Sequence, residues 1–552
     1  MCTLPNKLLP SVRSAGAAIA TVLLRLRKTP IALFFARRGP VIAALLVVIC
    51  FIIARLPFFL HFRLVDINAD YWSYFDIVQQ ARQGRWPRFP IRTPGYPLFL
   101  AAVLSISRTA MAVAIAQCAV TLAAALGTLA CFVRVDRRLA FPAAFALVGF
   151  ISSVHSVDFD TTLMTESLYC SLLILSLGTL TLAILRGGAW ASAGASLAMA
   201  GCMLTRPAGF FFFGVYGLVL GWLFHQRRPR RHVIAYLLPV PIIFLALCTY
   251  NLLVIGAFSI SPFGNHSLLG VVATFIEEDP AAPAGVNEAV REIRDSVAPE
   301  DRAVVFTSRD IDELYVAFYR YYGPAMYTHT SKIQGDYVEL TRIYGRLAWL
   351  SIRRHPDLYL KFAAVNFYKF YQVAFNSPDF YGYLGSRYDR LYVQRDMGVN
   401  LPDSERRDLL MEYWDPVPQP HVRHEGMQTV VDTTWSRRLH ERFNQVHTAI
   451  FSSVIWLLGA ILLFPVAIWK LIRSRGRDAG AFLVFAHLSA LAGAGLIIGL
   501  TVYAMTRYGA TALFMCYLTP LYLCLLAWPR VGTAPSGSAS EPQFFQVEKA
   551  LL

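Results

Sequence analysis

Charged residues are scarce in this chain: Asp, Glu, Lys and Arg together make up 16% of its 552 residues, whereas 56% are hydrophobic. One soluble core cannot bury so much apolar side chain, so much of the chain must lie in lipid. Acidic residues are the scarcer sign, with 35 against 51 Lys and Arg. In a soluble protein the net charge of +16 would indicate nucleic acid, but here the basic residues cluster beside apolar segments, which requires no nucleic acid.

The long polar stretch from residue 256 to 447 contains no cysteine. A disulfide framework and a cysteine-based zinc site are therefore excluded there. The chain also lacks a GxGxxG, Walker or HExxH signature and any fixed-period repeat. We expect no cofactor; a divalent metal is compatible with the sequence but is not indicated by it.

Ten apolar segments approach the roughly 20 residues that a membrane span requires. They lie at residues 40–60, 109–132, 139–156, 163–185, 190–205, 209–224, 233–255, 448–471, 480–504 and 508–528. An eleventh, residues 94–106, is short and opens with Pro94 and Pro97, so we expect a re-entrant or interfacial helix there. The sequence thus predicts an all-α polytopic membrane protein with about ten transmembrane helices.

Basic residues orient this topology, because Lys and Arg mark the cytoplasmic side. If residues 94–106 do not span, three basic clusters fall on that side: 134–138, 227–231 and 470–477. Five parts follow. They are a basic, interfacial cytoplasmic N terminus (1–38), spans one to seven with a catalytic first exported loop at 61–108 (39–255), a large and mainly helical exported loop (256–447), spans eight to ten (448–528) and a disordered cytoplasmic tail (529–552).

Ionisable residues converge on the exported boundary, where charge is costly unless it is used. Asp66 and Asp70 directly follow the first span. A transferase that inverts at a sugar carbon needs a carboxylate to take the proton of the acceptor hydroxyl. We expect Asp70 to be this base, with Asp66 one helical turn away as its orienter or rival. The alternative is that both are solvated loop residues.

Three more carboxylates lie between the third and fourth spans: Asp158, Asp160 and Glu166. The first two spell DxD, which in other enzymes holds a metal on a nucleotide sugar, but so short a pattern is common and we assign no metal ligand. Glu166 either lies opposite Asp70 in the site or is a helix-start carboxylate favoured by the helix dipole.

Two arginines, Arg206 and Arg507, interrupt apolar sequence at the exported ends of spans. The forked guanidinium group suits a lipid phosphate. Snorkelling towards water would explain either residue alone. Because positive charge is normally depleted on this face, we expect at least one of them to clamp a phosphate.

The order of these motifs resembles the GT-C transferases that use polyprenyl-phosphate sugars, the group that contains protein O-mannosyltransferases and lipid A aminoarabinose transferase. The matching residues are Asp70, Tyr74, Ala81 and Gly84, then R-T-P-G-Y-P at 92–97, Thr165 with Glu166, Arg206 with Pro207, Asn251 with Gly256, Pro356 with Tyr359 and Leu360, and Arg507 with Tyr508. Tyr250 stands where the family has Arg, and the prolines that usually follow the last motif are missing. Residues 270–340 are not covered.

The resemblance implies a GT-C-like fold, an exported active site and a donor that carries one sugar on a polyprenyl phosphate. It implies catalytic roles for Asp70, Asp66 and Glu166. Substrate or phosphate binding is implied for a further set: Arg92, Tyr96, Arg206, Asn251, Arg507 and Tyr508. The expected partners are the lipid-linked sugar, an exported acceptor and membrane lipid, in a bacterial inner membrane with the site facing the periplasm.

Two other functions fit a multi-span protein with a large exported loop. A flippase or transporter for a lipid-linked sugar would place its charges at the membrane midplane and often shows two related halves, whereas here the charges lie at one boundary. An O-antigen-type ligase or polymerase would transfer a preassembled glycan. The length of the donor glycan distinguishes the last function from single-sugar transfer.

Overall fold

The computed structural model describes residues 30–59, 71–89, 91–107, 109–329, 336–375, 435–452, 454–501, 509–510 and 512–527. Over these residues the secondary structure is helical and contains no β-strand, which confirms the predicted all-α class. The first eleven helices are α1 Pro30–Pro57, α2 Tyr71–Arg82, α3 Gly95–Ile106, α4 Ala110–Val135, α5 Ala140–Ile151, α6 Val154–Thr161, α7 Thr165–Leu185, α8 Ala189–Thr205, α9 Phe212–His225, α10 Arg230–Leu237 and α11 Pro239–Ile255. The remainder are α12 Phe263–Val271, α13 Ala284–Ser296, α14 Pro299–Thr307, α15 Ile311–Gly323, α16 Tyr337–Arg354, α17 Pro356–Phe375, α18 Trp435–Phe451, α19 Ile455–Arg473, α20 Ala479–Thr501, α21 Leu513–Tyr517 and α22 Thr519–Leu526.

Seven helical runs are long and apolar enough to cross a membrane. They are Arg38–Leu56, Ala110–Val135, Thr165–Leu185, Pro207–His225, Arg230–Ile255, Arg438–Arg473 and Ala479–Thr501. An eighth is the pair Arg137–Ile151 and Val154–Thr161, which is bent by 61° and is either a broken span or a re-entrant loop. Within the described residues, the predicted count of ten spans is therefore not confirmed.

Local chemistry explains why three of the predicted segments do not form one long continuous helix each. The predicted segment 139–156 breaks at Ser153, whose Oγ accepts a hydrogen bond from the backbone N–H of Ser156 (3.2 Å) and so caps a new helix. Segment 190–205 forms the 17-residue helix α8, which ends just before Pro207. Segment 508–528 contains α21 and α22, and Pro520, lacking an N–H, starts the second of these.

The outer surface of the bundle is apolar. On α1 the exposed large side chains Val41, Leu45, Ile49 and Ile52 recur at helical spacing along one face. An apolar face of this length is typical of contact with lipid rather than with water. Inside, α7 packs closely on α4, because Gly178 leaves no side chain between them; a Cβ atom there would lie 2.9 Å from Thr128 Cγ2.

A second hydrophobic core lies outside the bundle, in the segment from α12 to α17 that we call the helical domain (residues 263–375). Its buried side chains come from helices far apart in the chain and include Val290, Leu314, Phe318, Leu347 and Phe362. Helix α13 buries its apolar positions Val286, Ala289, Val290 and Ile293 and turns its charged residues to solvent. The described part of the predicted large loop is thus helical and has a core of its own.

The basic clusters of the sequence meet at one end of the bundle. Arg186 Nη2 donates to the carbonyl O of Val135 (3.0 Å), and Arg228 Nη2 donates to that of Ile184 (2.9 Å). His225 Nε2 lies 2.9 Å from the carbonyl O of Arg475 and, since a carbonyl only accepts, donates to it. We call this the basic end; the starts of α4 and α7 and the ends of α8 and α20 lie at the opposite end.

Candidate functional site

A cavity of about 870 Å³ lies where the opposite end of the bundle meets the helical domain. Its polar lining on the bundle side comes from Arg92, Thr93, Thr165, Glu166, Thr205 and Arg206. Apolar side chains continue this wall between the helices: Pro207, Ala208, Phe210, Ile497 and Ile498. The helical domain supplies the facing wall, which includes Phe263, Ser267, Tyr319, Arg320, Tyr322 and Met326. The volume is in the range of cavities that bind small molecules.

An ion pair between Glu166 and Arg206 forms the polar centre of the bundle wall. Arg206 Nη1 lies 2.6 Å from Glu166 Oε1, and the Glu166 side chain has no exposed surface. Glu166 lies in the first turn of α7, where the helix dipole favours a carboxylate, and Thr165 Oγ1 lies 3.1 Å from its Oε2. Arg206 follows the last residue of α8, and Pro207 begins the next helical turn. The sequence placed both residues at this boundary but did not pair them.

Arg92 supplies a second guanidinium group to the cavity. Its Nε donates to Ser73 Oγ (2.8 Å), and its guanidinium carbon lies 4.8 Å from the ring centroid of Tyr74, a cation–π distance. Tyr74 also lines the cavity and makes an edge-to-face contact with Tyr96, with the ring centroids 5.1 Å apart. Arg92 therefore lies beside the cavity and is held by the start of α2, while its predicted role in substrate or phosphate binding stays a prediction.

Tyr96, expected to bind substrate, is fully buried and is not among the residues that line the cavity. Its hydroxyl donates to Gln117 Oε1 (2.8 Å). Gln117 Nε2 lies within hydrogen-bond distance of three backbone carbonyl oxygens, those of Phe159 (3.1 Å), Asp160 (3.0 Å) and Thr162 (2.9 Å). The structure therefore places Tyr96 in a hydrogen-bond network that holds the end of α6.

Asn251, the other predicted polar binder of the seventh segment, is also buried away from the cavity lining. Its Nδ2 donates to the carbonyl oxygens of Ser259 (2.8 Å) and Ile260 (2.9 Å). Helix α11 ends here at Gly256, whose φ of +73° favours glycine. Asn251 thus fixes the turn that leads from the bundle to the helical domain.

Asp160, the second carboxylate of the DxD pattern, is engaged on both oxygens. Its Oδ1 accepts from Thr121 Oγ1 (2.7 Å) and Ser167 Oγ (2.5 Å), and its Oδ2 accepts from Arg55 Nε (2.9 Å). Asp158 accepts a weaker bond from Thr162 Oγ1 (3.4 Å). Across the described residues, no group of three His, Cys, Asp or Glu is placed to hold a metal ion.

Sequence reasoning missed two buried residues of this network, Arg55 and Gln117. Arg55 Nη1 donates to the carbonyl O of Ile151 (2.8 Å), and its Nη2 forms an ion pair with Asp160. Each residue is a lone polar group near the end of an apolar segment, which is a usable signal because polarity is costly there. Four predicted site residues, Asp66, Asp70, Arg507 and Tyr508, lie outside the described residues and stay predictions.

The facing wall contains a third guanidinium group, that of Arg320 in α15, flanked by Tyr319 and Tyr322. Arg320 Nη1 donates to Asp301 Oδ2 (2.5 Å), and this carboxylate raises the pKa of Arg320 above its usual value, so the group stays charged. Ser267 Oγ lies 2.7 Å from the Tyr322 hydroxyl oxygen and donates to the carbonyl O of Thr501 (2.9 Å). The last bond joins the helical domain to α20.

The chain was compared with protein-family models, with curated proteins and with solved structures. No family model, no curated protein and no solved structure matches it. What the cavity can do is therefore argued from its own residues.

Proposed function

We propose that the protein is a GT-C-type glycosyltransferase that moves a single sugar from a polyprenyl-phosphate donor to an exported acceptor, namely a glycolipid, polysaccharide or protein. We place it in a bacterial inner membrane with the cavity facing the periplasm. One observation carries the proposal: Arg206 and Arg92 line the same cavity as an apolar wall at the end of the bundle. A lipid phosphate requires this combination of cations and apolar surface.

A Glu166 carboxylate that is paired with Arg206 suits a phosphate-binding site better than an unpaired carboxylate would. Glu166 is fully buried against Arg206, so it fixes the position of the guanidinium group. A guanidinium group has five N–H donors, and one carboxylate does not occupy them all. We therefore assign Glu166 to holding Arg206, rather than to proton transfer, and Arg206 to the donor phosphate.

In the proposed reaction an acceptor hydroxyl attacks the anomeric carbon of the donor sugar. Its proton passes to a carboxylate, for which Asp70 remains the preferred candidate and Asp66 the rival. The bond between the anomeric carbon and the phosphate oxygen breaks, and the electron pair leaves with the polyprenyl phosphate. Arg206 and Arg92 would stabilise the charge that develops on this leaving group. The sugar is transferred with inversion.

The charges that line the cavity favour transfer over transport. Within the described residues, Glu166 and Arg206 lie at helix ends that face the helical domain rather than in the middle of their spans. A transporter is expected to place such charges near the membrane midplane. The position of the ion pair therefore suits chemistry at one boundary.

The test is a transfer assay with the purified full chain in lipid nanodiscs. A panel of radiolabelled polyprenyl-phosphate monosaccharides is supplied with an envelope extract as acceptor. We expect the wild type to form labelled product, and Arg206→Gln and Arg92→Gln to lose at least about tenfold in rate, since each removes a charge-assisted hydrogen bond. Asp70→Asn should abolish transfer without unfolding the protein.

The control is Arg186→Gln, which removes an exposed arginine from the basic end and should leave transfer unchanged. Label that crosses a liposome membrane without a new glycosidic bond would identify a transporter instead. Consumption of long preassembled glycans alone would identify a ligase or polymerase. No transfer from any donor overturns the proposal.

A further inference from the structure

The two walls of the cavity differ in origin and chemistry. The bundle wall carries Arg206 and Arg92 beside apolar side chains, whereas the wall of the helical domain carries Arg320 between Tyr319 and Tyr322. The Arg320 side chain is 54% exposed, so water reaches it, while that of Arg206 is 9% exposed. On the wall of the helical domain, Arg320 and the neighbouring Tyr319, which is 48% exposed, are thus accessible to water.

We infer that this wall is the acceptor subsite and that the acceptor is an anionic glycan: a saccharide ring packs on the exposed ring of Tyr319 while a phosphate or carboxylate group binds Arg320. The inference rests on the proposed transferase function and names the acceptor class that the proposal leaves open. Aromatic rings offer a saccharide flat apolar contact and a hydroxyl for hydrogen bonding. A guanidinium group matches the oxygens of a phosphate or carboxylate.

Arg320 and Arg206 lie on different walls of the cavity. Under the proposed function, a lipid-linked donor would enter with its chain among apolar helices, which would place its phosphate beside Arg206 on the bundle wall. Arg320 belongs to α15, whose core residues Leu314 and Phe318 are part of the helical domain. Asp301 Oδ2 accepts a hydrogen bond from Arg320 Nη1 (2.5 Å), which positions the guanidinium group and leaves N–H donors for a ligand.

The chain provides a closely matched control for Arg320. Arg346 is also in the helical domain, its side chain is 53% exposed, and its Nε pairs at 2.6 Å with Asp279, a carboxylate with 11% exposure. Arg320 pairs with Asp301, which likewise has 11% exposure. Arg346 is not among the residues that line the cavity. Substituting each arginine by Gln therefore removes equivalent ion pairs, one inside the proposed subsite and one outside it.

The first experiment measures binding to the full chain in nanodiscs and does not depend on turnover. The probes are a hexose 6-phosphate, the corresponding uronic acid and the neutral hexose. We expect both anionic probes to bind more tightly than the neutral hexose. Arg320→Gln should weaken the binding of the anionic probes about tenfold, and Arg346→Gln should leave their binding unchanged. Equal binding of the three probes, or equal effects of the two substitutions, overturns the inference.

The second experiment separates this inference from the proposed function. Release of the donor sugar to water reports donor chemistry without an acceptor, whereas transfer to phosphorylated, uronate and neutral glycans reports the acceptor. We expect Arg320→Gln to raise the KM for anionic acceptors by more than it changes donor hydrolysis, and Arg346→Gln, outside the subsite, to leave both unchanged. A loss of hydrolysis and transfer together in Arg320→Gln contradicts an acceptor role. If the wild type neither hydrolyses nor transfers, the transferase proposal fails, while the binding result still decides whether the wall recognises anionic sugars.

Discussion

Two buried ion pairs lie at the same end of the bundle, and their difference separates support from binding. Arg55 pairs with Asp160, and Arg206 pairs with Glu166; the two carboxylate side chains are 1% and 0% exposed. Asp160 also accepts from Thr121, from Ser167 and from the Arg55 Nε, so this pair is enclosed. Arg206 and Glu166 instead line the cavity.

The comparison shows that one kind of interaction can hold helices together or present a charge, depending on what lies on its open side. The enclosed pair and its hydrogen-bond partners join α1, α4, α6 and α7. The cavity pair lies next to it, since Glu166 directly precedes Ser167 in α7. We therefore expect the enclosed pair to determine stability and the cavity pair to determine binding. The first two predictions below test that division, and the other two compare further enclosed groups with the cavity.

The largest effect is expected from Asp160→Ala. This substitution leaves the Arg55 guanidinium buried without its carboxylate, and breaking a buried pair from one side typically costs about 3–5 kcal/mol. Thermal unfolding of the detergent-purified protein should show a large loss of stability. The double variant Arg55→Met with Asp160→Ala removes both charges and should recover part of the loss. Unfolding of Asp160→Ala at the wild-type temperature would show that the pair does not support the bundle.

A smaller loss of stability is expected from Glu166→Gln. Water in the cavity can solvate the Arg206 guanidinium, so the cost should be about 1–3 kcal/mol, the range for one unsatisfied polar group. Binding of polyprenyl phosphate, measured with the same preparation, should weaken by about tenfold because Arg206 loses the group that positions it. A stability loss as large as that of Asp160→Ala, with unchanged lipid binding, would erase the distinction between the two pairs.

Periodicity and motif order predict the helical class and one side of the cavity. Glu166 and Arg206 were recognisable because charge is rare at the ends of apolar segments, and Thr165 because it precedes Glu166 in a motif match. Their direct pairing was not predictable, since it depends on how α7 and α8 pack. The predicted count of ten spans is not confirmed within the described residues, because new helices start after Ser153 and at Thr519–Pro520 inside segments whose hydropathy is continuous.

Other residues show where a motif alone cannot decide a role. Tyr96 and Asn251 match motifs of the resemblance, yet both donate hydrogen bonds to groups inside the fold. A motif does not distinguish this from a hydrogen bond to a ligand, because either side chain can make both. Gln117 was missed because its partners lie 42 to 45 residues along the chain. Arg320 belongs to the segment that the resemblance does not cover, so only the packing of the helical domain brought it to the cavity.

Tyr96→Phe tests whether this tyrosine supports the site or binds substrate. The variant removes the hydrogen bond to Gln117 and leaves the ring in place, so it should lower stability by about 1 kcal/mol. Lipid phosphate binding should stay at the wild-type value, because Tyr96 does not line the cavity. Unfolding temperature and binding are measured on the same preparation, with Tyr74→Phe as the control residue that does line it. A loss of binding without a loss of stability would return Tyr96 to a direct role.

The smallest expected effect is on the pH dependence of stability, and it concerns His266, an enclosed histidine beside the open cavity. His266 donates from Nε2 to the carbonyl O of Met326 (2.7 Å), and burial lowers the pKa of the ring. The unfolded chain then binds a proton more readily than the folded one, so this contribution is complete above about pH 6.5 and is lost as the pH falls towards the lower folded pKa. Acidification from about pH 7.5 to 5.5 should therefore lower the unfolding temperature less in His266→Gln than in the wild type. If the unfolding temperatures of the two proteins depend on pH in the same way, His266 is accessible to water and is not an enclosed group.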